Sequence, residues 1–321
     1  MFSIFVSLLT LYLIYRLYQC LFLSRTIDPR NKSVLISGCD TGVGYLSAIE
    51  LDKKGFHVFV GVLRQDNIIL LKEKLSSRAT VFRLDITKQE DIDEAYDLIT
   101  GKVDTLYGLV NNAGIMTHGC VDWTSMQMMR KVMDVNYFGH VNMTKKFLPL
   151  LIKKRDSRIV NVVSAAGFFA FPNTSAYSAS KYAMKAFSDC LRREMSPWNL
   201  RVSTIEPGAL KTPMMETYEQ TWRDVWNQLS TDVQQRWGID YLNKNITKAV
   251  NSPFMIHADN PLTVVRAIEH ALMKVKPWVH YRPGWQGKLI FFVLYLSPAW
   301  LSDKIIASVW NFVPAGVRQQ S

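Results

Sequence analysis

Tyr177 and Lys181 stand four residues apart in the stretch SAAGFFAFPNTSAYSASKYA, which runs from Ser164 to Ala183. On a helix that spacing puts a phenol and an ammonium on one face, a turn apart. A free tyrosine, with a pKa of about 10, is a poor base at neutral pH. A neighbouring cation favours the phenolate and lowers that value. Such a phenol could take a proton from an alcohol or return one to a carbonyl. Ser164 supplies a hydroxyl that could hydrogen-bond the reacting oxygen and steady a developing alkoxide. A tyrosine and a lysine on an exposed helix would look the same, so the pair needs a setting.

That setting begins upstream. SVLISGCDTGVGYLSAIELDKKGFHVFVGVL opens with an apolar run, Val34 to Ile36, turns through Gly38, Gly42 and Gly44, continues with helical periodicity, and reaches a second apolar run at Val58 to Val62. This is a strand–helix–strand unit. Glycines in the turn let the main chain approach a pyrophosphate, whose charge the following helix N-terminus favours. Further strands read at Val81–Leu84, Leu106–Asn111, Ile159–Val163 and Val202–Glu206, separated by helical stretches. The alternation predicts an α/β fold, a Rossmann-type doubly wound parallel sheet. Ligands in such sheets bind at the carboxyl ends of strands. Leu84 to Thr87, Asn111 to Gly114 and Ser164 all fall at such ends.

The 321 residues are 48% hydrophobic and 20% charged, which suits a folded core and excludes a disordered chain. One catalytic domain is expected over 31–280. The net charge of +11 is scattered, without zinc-finger spacing, and argues for a basic or membrane-facing surface and against nucleic acid. Cys20, Cys39, Cys120 and Cys190 form no C-x-x-C pair, and the six histidines show no ligand spacing. Reduced thiols and no metal are expected. Residues 1–23 read as an uncleaved apolar anchor, with a signal peptide as the rival reading; no basic residue precedes Arg16 and no A-x-A site follows. Arg16, Arg25, Arg30 and Lys32 at its far end place the domain in the cytosol by the positive-inside rule. The N-x-[ST] triplets at Asn31, Asn142, Asn173 and Asn245 are then unused. Residues 285–315 are apolar but interrupted by Pro298 and Asp303, which fits an interfacial segment or a packed core helix rather than a second crossing.

Gly38/Gly42/Gly44, NNAG at Asn111–Gly114, Asn136 in DVNYFG, Ser164, Tyr177-x-x-x-Lys181, Pro207-Gly208 and Thr212 follow one another in a single order. In this the chain resembles the short-chain dehydrogenase/reductase superfamily over roughly residues 32–212. SGCDTGVG, LDIT, IEHAL and YRPGWQGKL, with apolar ends, resemble its membrane-bound retinol and hydroxysteroid dehydrogenases, whose soluble-looking relatives act on 3-hydroxybutyrate. Ser37 stands where many relatives have threonine, and keeps the hydroxyl.

The resemblance implies hydride transfer between a nicotinamide dinucleotide and an alcohol at Asn136, Ser164, Tyr177 and Lys181. Lys181 would also bind the nicotinamide ribose, and Asn136 would hold a water that relays protons. The cofactor would lie on Gly38, Asp40, Thr41, Gly42, Val43 and Gly44, on Asp85 beside the adenine, on Asn112, Ala113 and Gly114, on Tyr177 and Lys181, and on Pro207, Gly208 and Thr212. It further implies a homodimer at the endoplasmic reticulum membrane. No acid ends the second strand, where Val62, Leu63 and Arg64 stand; Arg64 reads either as a cation for the 2′-phosphate of NADP or as a solvated loop cation, whereas Asp40 would accept from a ribose hydroxyl and repel a phosphate. NAD is the expectation and NADP the alternative, the latter as a carbonyl reductase of lipid aldehydes or ketones. A catalytically silent lipid-binding scaffold is a third reading, against which the intact Asn136/Ser164/Tyr177/Lys181 set argues. Ser164, Phe168, Phe169 and Tyr177 are expected to contact the substrate. A lid over 213–260 carries Trp222, Val225, Trp226 and Leu229 at helical spacing. An aromatic loop and an amphipathic lid suit a bulky apolar alcohol.

Overall fold

The computed structural model describes residues 25–318 together with residues 6, 7, 10–12 and 14. Most of the expected 1–23 anchor therefore lies outside the described residues. The centre is a parallel sheet of seven strands in the order β3-β2-β1-β4-β5-β6-β7. These are β1 (Ser33–Ile36), β2 (His57–Val62), β3 (Thr80–Arg83), β4 (Gly108–Asn111), β5 (Arg158–Val162), β6 (Arg201–Ile205) and β7 (His280–Tyr281). Every strand read from the sequence is present, with ends displaced by two residues at most. β7 was not expected. It has only two residues, paired to Thr204 and Ile205, and shows no apolar run.

Because side chains alternate along a strand, each strand feeds two cores. Val34 and Ile36 of β1 pack with the Gly42–Lys54 and Leu262–Met273 helices through Ala48, Leu51, Val264 and Ile268. Leu35 packs on the other face with the Gln89–Thr100, His140–Ile152 and Ser175–Glu194 helices through Ile92, Phe147 and Leu191. Both faces are covered, so the strands are rich in Val, Ile and Leu rather than alternating with polar residues. The chain winds outward from β1 to β3, then restarts at β4 on β1's other side, with Leu35 opposite Leu109. The switch opens a crevice above the carboxyl ends of β1 and β4.

The lid segment folds as short helices, chiefly Tyr218–Asn227 and Ile239–Val250. Trp222, Val225 and Trp226, at helical spacing in that lid, form a small core with Cys120 and Trp123 of the loop after β4. Trp123 meets the edges of Trp222, Trp226 and Trp237 at 5.1–5.9 Å. This core holds the lid on the loop after β4. Asn245 within it is 1% exposed and accepts from Asn173, which leaves no room for a glycan at that triplet.

Candidate active site

Three segments build the floor of the crevice. Gly38 (φ 70°) and Gly42 (φ 61°) adopt left-handed backbone that favours glycine. A Cβ on Gly38 would stand 2.5 Å from the Ala113 Cα, and one on Gly44 would stand 2.5 Å from Asn112 Nδ2. These two glycines let the turn press against the NNAG segment. Above Gly42 the nearest atom to such a Cβ is Thr212 Cγ2 at 3.6 Å. Gly42 is thus the glycine that faces the open crevice. It begins a 13-residue helix with no acidic residue in its first turn and no side-chain cap from Thr41. Its uncapped N–H groups and the positive end of its dipole suit a phosphate. The residues present therefore fit the pyrophosphate of a dinucleotide.

Polar side chains fix this floor. Ser37 Oγ accepts from the backbone N–H groups of Asn112 and Ala113, at 3.1 and 3.2 Å. Asn112 Nδ2 donates to the carbonyls of Ser37 and Gly38, both at 3.0 Å. A buried ladder, Thr144–Asn111–Asn161–Ser188, ties β4 and β5 to the helices behind them. His140 Nε2 lies 2.7 Å from the Ala113 carbonyl. Burial, reinforced by Lys181, pulls His140 down to about 3, so the ring is neutral. Thr144, Asn161, Ser188 and His140 escaped the sequence reading because each stands as a single polar residue whose partner lies on a distant segment.

Ser164 follows β5, with its hydroxyl accepting from the Ala166 N–H at 3.1 Å. Tyr177 and Lys181 lie on the 20-residue helix Ser175–Glu194, and Lys181 Nζ stands 5.6 Å from the centre of the Tyr177 ring. Lys181 is 3% exposed and donates to the Val162 carbonyl at 3.0 Å. Burial lowers it to about 8. Burial likewise raises the Tyr177 phenol above its ordinary value, and a hydrogen bond with Ser164 draws it back only in part. Burial therefore sets the direction of the Tyr177 shift and holds the phenol as a proton donor; the lowering expected from Lys181 is not seen.

Asn136 sits in a π-helical turn, Asp134–Gly139, and is fully buried. Its Oδ1 accepts from the Ile115 N–H at 2.9 Å; its Nδ2 donates to the Ile115 carbonyl at 2.9 Å and to Ser180 Oγ at 3.0 Å. Ser180 in turn donates to the Tyr177 carbonyl at 2.7 Å. The amide expected to hold a water is thus committed to positioning Ile115 and the Tyr177 turn. A Cβ on Gly114 would stand 3.4 Å from Asn136 Oδ1 and 3.7 Å from Lys181 Nζ, so the groups converge there.

One cavity of about 510 Å³ joins these parts. Gly38, Asp40, Thr41, Gly42, Val43, Asp85, Asn112, Ala113, Gly114, Ser164, Tyr177, Lys181, Pro207, Gly208 and Thr212 all line it. Gly44 lies beneath the wall and Asn136 behind it. Phe168 and Phe169 do not line it, contrary to expectation. Phe168 packs edge-on to Phe292 and Tyr295, and Phe169 stacks on Phe291, anchoring the C-terminal segment. Of that aromatic loop, Phe171 reaches the cavity. Gln286, which the sequence reading did not single out, bridges the Ala209 N–H at 3.1 Å and the Phe254 carbonyl at 2.8 Å, fixing the Pro207–Gly208 loop.

Asp40 takes the place of the acid missing from β2. Its carboxylate reaches across to accept from the Leu63 and Arg64 N–H groups and from Asn67 Nδ2, at 2.8–2.9 Å. Arg64 is largely exposed, its guanidinium 4.0 Å from Asp66.

A doubly wound sheet with a glycine turn at its switch point and a Ser–Tyr–Lys set across the crevice defines a short-chain oxidoreductase. A family model described as short chain dehydrogenase matches residues 32–223, and the chain belongs to that family. Among its relatives, estradiol 17-beta-dehydrogenase 2 of Mus musculus is 36% identical over 287 residues, covering 86% of this chain and 74% of the relative. D-beta-hydroxybutyrate dehydrogenase of Bos taurus is 34% identical, with 87% and 85% covered. Retinol dehydrogenase 5 of Mus musculus is 34% identical, with 88% and 90% covered. Identities this close do not choose among a steroid, a hydroxy acid and a retinoid.

Proposed function

We propose that the chain oxidises a bulky apolar alcohol, of the retinol or hydroxysteroid kind, with NAD as hydride acceptor. The observation that carries this reading is the apolar lining that shares the cavity with Ser164 and Tyr177, to which Met214, Met215, Tyr218, Phe254, Met255 and Phe291 contribute. A small hydroxy acid calls for a cation to hold its carboxylate. Among the described lining residues Lys181 is the one lysine or arginine, and it is bound to the Val162 carbonyl.

A nicotinamide dinucleotide, when bound, accepts or supplies the hydride. The chain's own residues do the rest. Ser164 hydrogen-bonds the substrate oxygen, Tyr177 exchanges the hydroxyl proton, and Lys181 holds a positive charge one helical turn away. The lid and C-terminal segment contribute apolar residues to the cavity lining, and a low-dielectric surrounding strengthens each of these interactions.

Asp40 supports NAD over NADP, since a 2′-phosphate placed near it would meet a carboxylate. Asp40→Ala is expected to raise the KM for NAD by roughly 10–100-fold and to narrow the NAD/NADP preference, because the Leu63 and Arg64 N–H groups lose their acceptor. Steady-state kinetics with each dinucleotide checks this. A variant that keeps its preference would remove Asp40 from the specificity argument.

Membrane attachment is part of the same reading. No helix of the described residues is long and apolar enough to cross a bilayer. Yet Leu289, Val293 and Leu296, at 58–66% exposure, recur at helical spacing in the C-terminal segment, and Trp300, 67% exposed, follows in the next helix, Ala299–Val309. An apolar stripe of this kind suits the interface of a bilayer. The chain without residues 1–24 is expected to sediment with anionic vesicles, and Val293→Glu/Trp300→Glu to stay in the supernatant. Identical partitioning of the two would rule the stripe out.

A further inference from the structure

His118 lies in the loop after β4, is 4% exposed, and lines the cavity. Its Nδ1 is sealed in without a partner among the described residues. The ring packs against the lid. Tyr218 stands 4.1 Å from it, and Trp222 lies parallel to it within 6° at 5.9 Å. Both belong to the Tyr218–Asn227 helix of the lid. Burial takes the ring down to about 3, so it is a neutral imidazole. None of the groups assigned to proton exchange or to the dinucleotide uses it.

An apolar side chain would fill this position at less cost. A buried polar group left unpaired is destabilising, and a wall made to hold only hydrocarbon has no use for one. With Nδ1 sealed, Nε2 is the polar atom the ring can offer a ligand. Depending on the tautomer it donates to a carbonyl or accepts from a hydroxyl. Both kinds of oxygen are already served at the reacting end by Ser164 and Tyr177, so His118 calls for another.

We propose that His118 recognises a second oxygen on the substrate, remote from the carbon that reacts. The preferred substrate is then an apolar alcohol with a distal ketone or hydroxyl, as in an oxygenated steroid, rather than one with a single oxygen, as in retinol. This rests on the alcohol-dehydrogenase reading above and deepens it. A site built to hydrogen-bond a substrate group discriminates strongly against the analogue that lacks it, because its own polar group is then left unpaired.

The test uses the full chain in detergent with NAD and two secondary alcohols on one ring skeleton, differing only in a distal ketone. The ketone-bearing alcohol is expected to show kcat/KM at least about tenfold higher. His118→Phe is expected to erase that ratio, and His118→Gln, which keeps a donor and an acceptor, to restore part of it. Equal kcat/KM values in the unaltered protein, or a ratio that survives His118→Phe, would overturn the assignment while leaving the enzyme reading in place. Failure to turn over either alcohol would instead overturn the reading on which the assignment rests.

Discussion

Tyr177→Phe is expected to lower turnover by about 10²–10⁴-fold or more, the range that general acid–base catalysis supplies. Dinucleotide binding should persist, because the glycine turn, Asp40 and Thr212 are untouched. The phenol hydrogen-bonds Ser164, and its ring has Lys181 beside it. Removing its oxygen leaves the substrate hydroxyl without a proton partner while the ring still fills its place. The pH dependence follows from the same burial. A phenol raised above its ordinary value must lose its proton to act as base, so oxidation should accelerate as pH rises through the alkaline range. Reduction, which uses the protonated form, should slow over that range. Rates in both directions and a fluorescence titration with NADH check these points. Turnover retained in Tyr177→Phe would remove the tyrosine from the chemistry.

Asn136→Ala carries the second large effect, through a different route. Its fully buried amide makes three hydrogen bonds. Deleting it strands the Ile115 N–H and carbonyl and one partner of Ser180. At about 1–3 kcal/mol for each unsatisfied buried group, partly relieved by relaxation, the loss of stability should reach roughly 2–4 kcal/mol. Turnover should fall by about 100-fold, because Ser180 holds the Tyr177 carbonyl and a small misplacement of a reacting group is costly. Denaturant unfolding and single-turnover kinetics measure the two effects separately. A variant of ordinary stability that loses activity would return Asn136 to a direct role in proton transfer.

Much of the fold was legible because periodicity carries it. Val34–Ile36 and Val58–Val62 are strands buried on both faces, and such strands read as apolar runs. The glycine turn was legible because its residues are forced: backbone angle at Gly42, close packing at Gly44. What stayed hidden depends on contacts between distant segments. Phe168, Phe169 and Phe171 look alike in sequence, and all three pack on the C-terminal segment, but Phe171 alone of the three reaches the cavity. The lid tryptophans have the spacing of a substrate-facing stripe, yet Trp123, a hundred residues earlier, covers them. Asp40 was read as a ribose partner, but its bonds to Leu63 and Arg64 arise only when the sheet brings β2 beside the turn. The sign of the Tyr177 shift turned on burial, which spacing does not reveal.

The most direct test of the central claim follows the hydrogen itself. The full chain would be given NAD and a secondary apolar alcohol carrying deuterium on the carbinol carbon, and the dinucleotide then analysed by mass spectrometry. The account predicts one deuterium on the reduced nicotinamide for each ketone formed, and none with Tyr177→Phe in the same time. Ketone formed with unlabelled NADH, or no reduced dinucleotide at all, would contradict it.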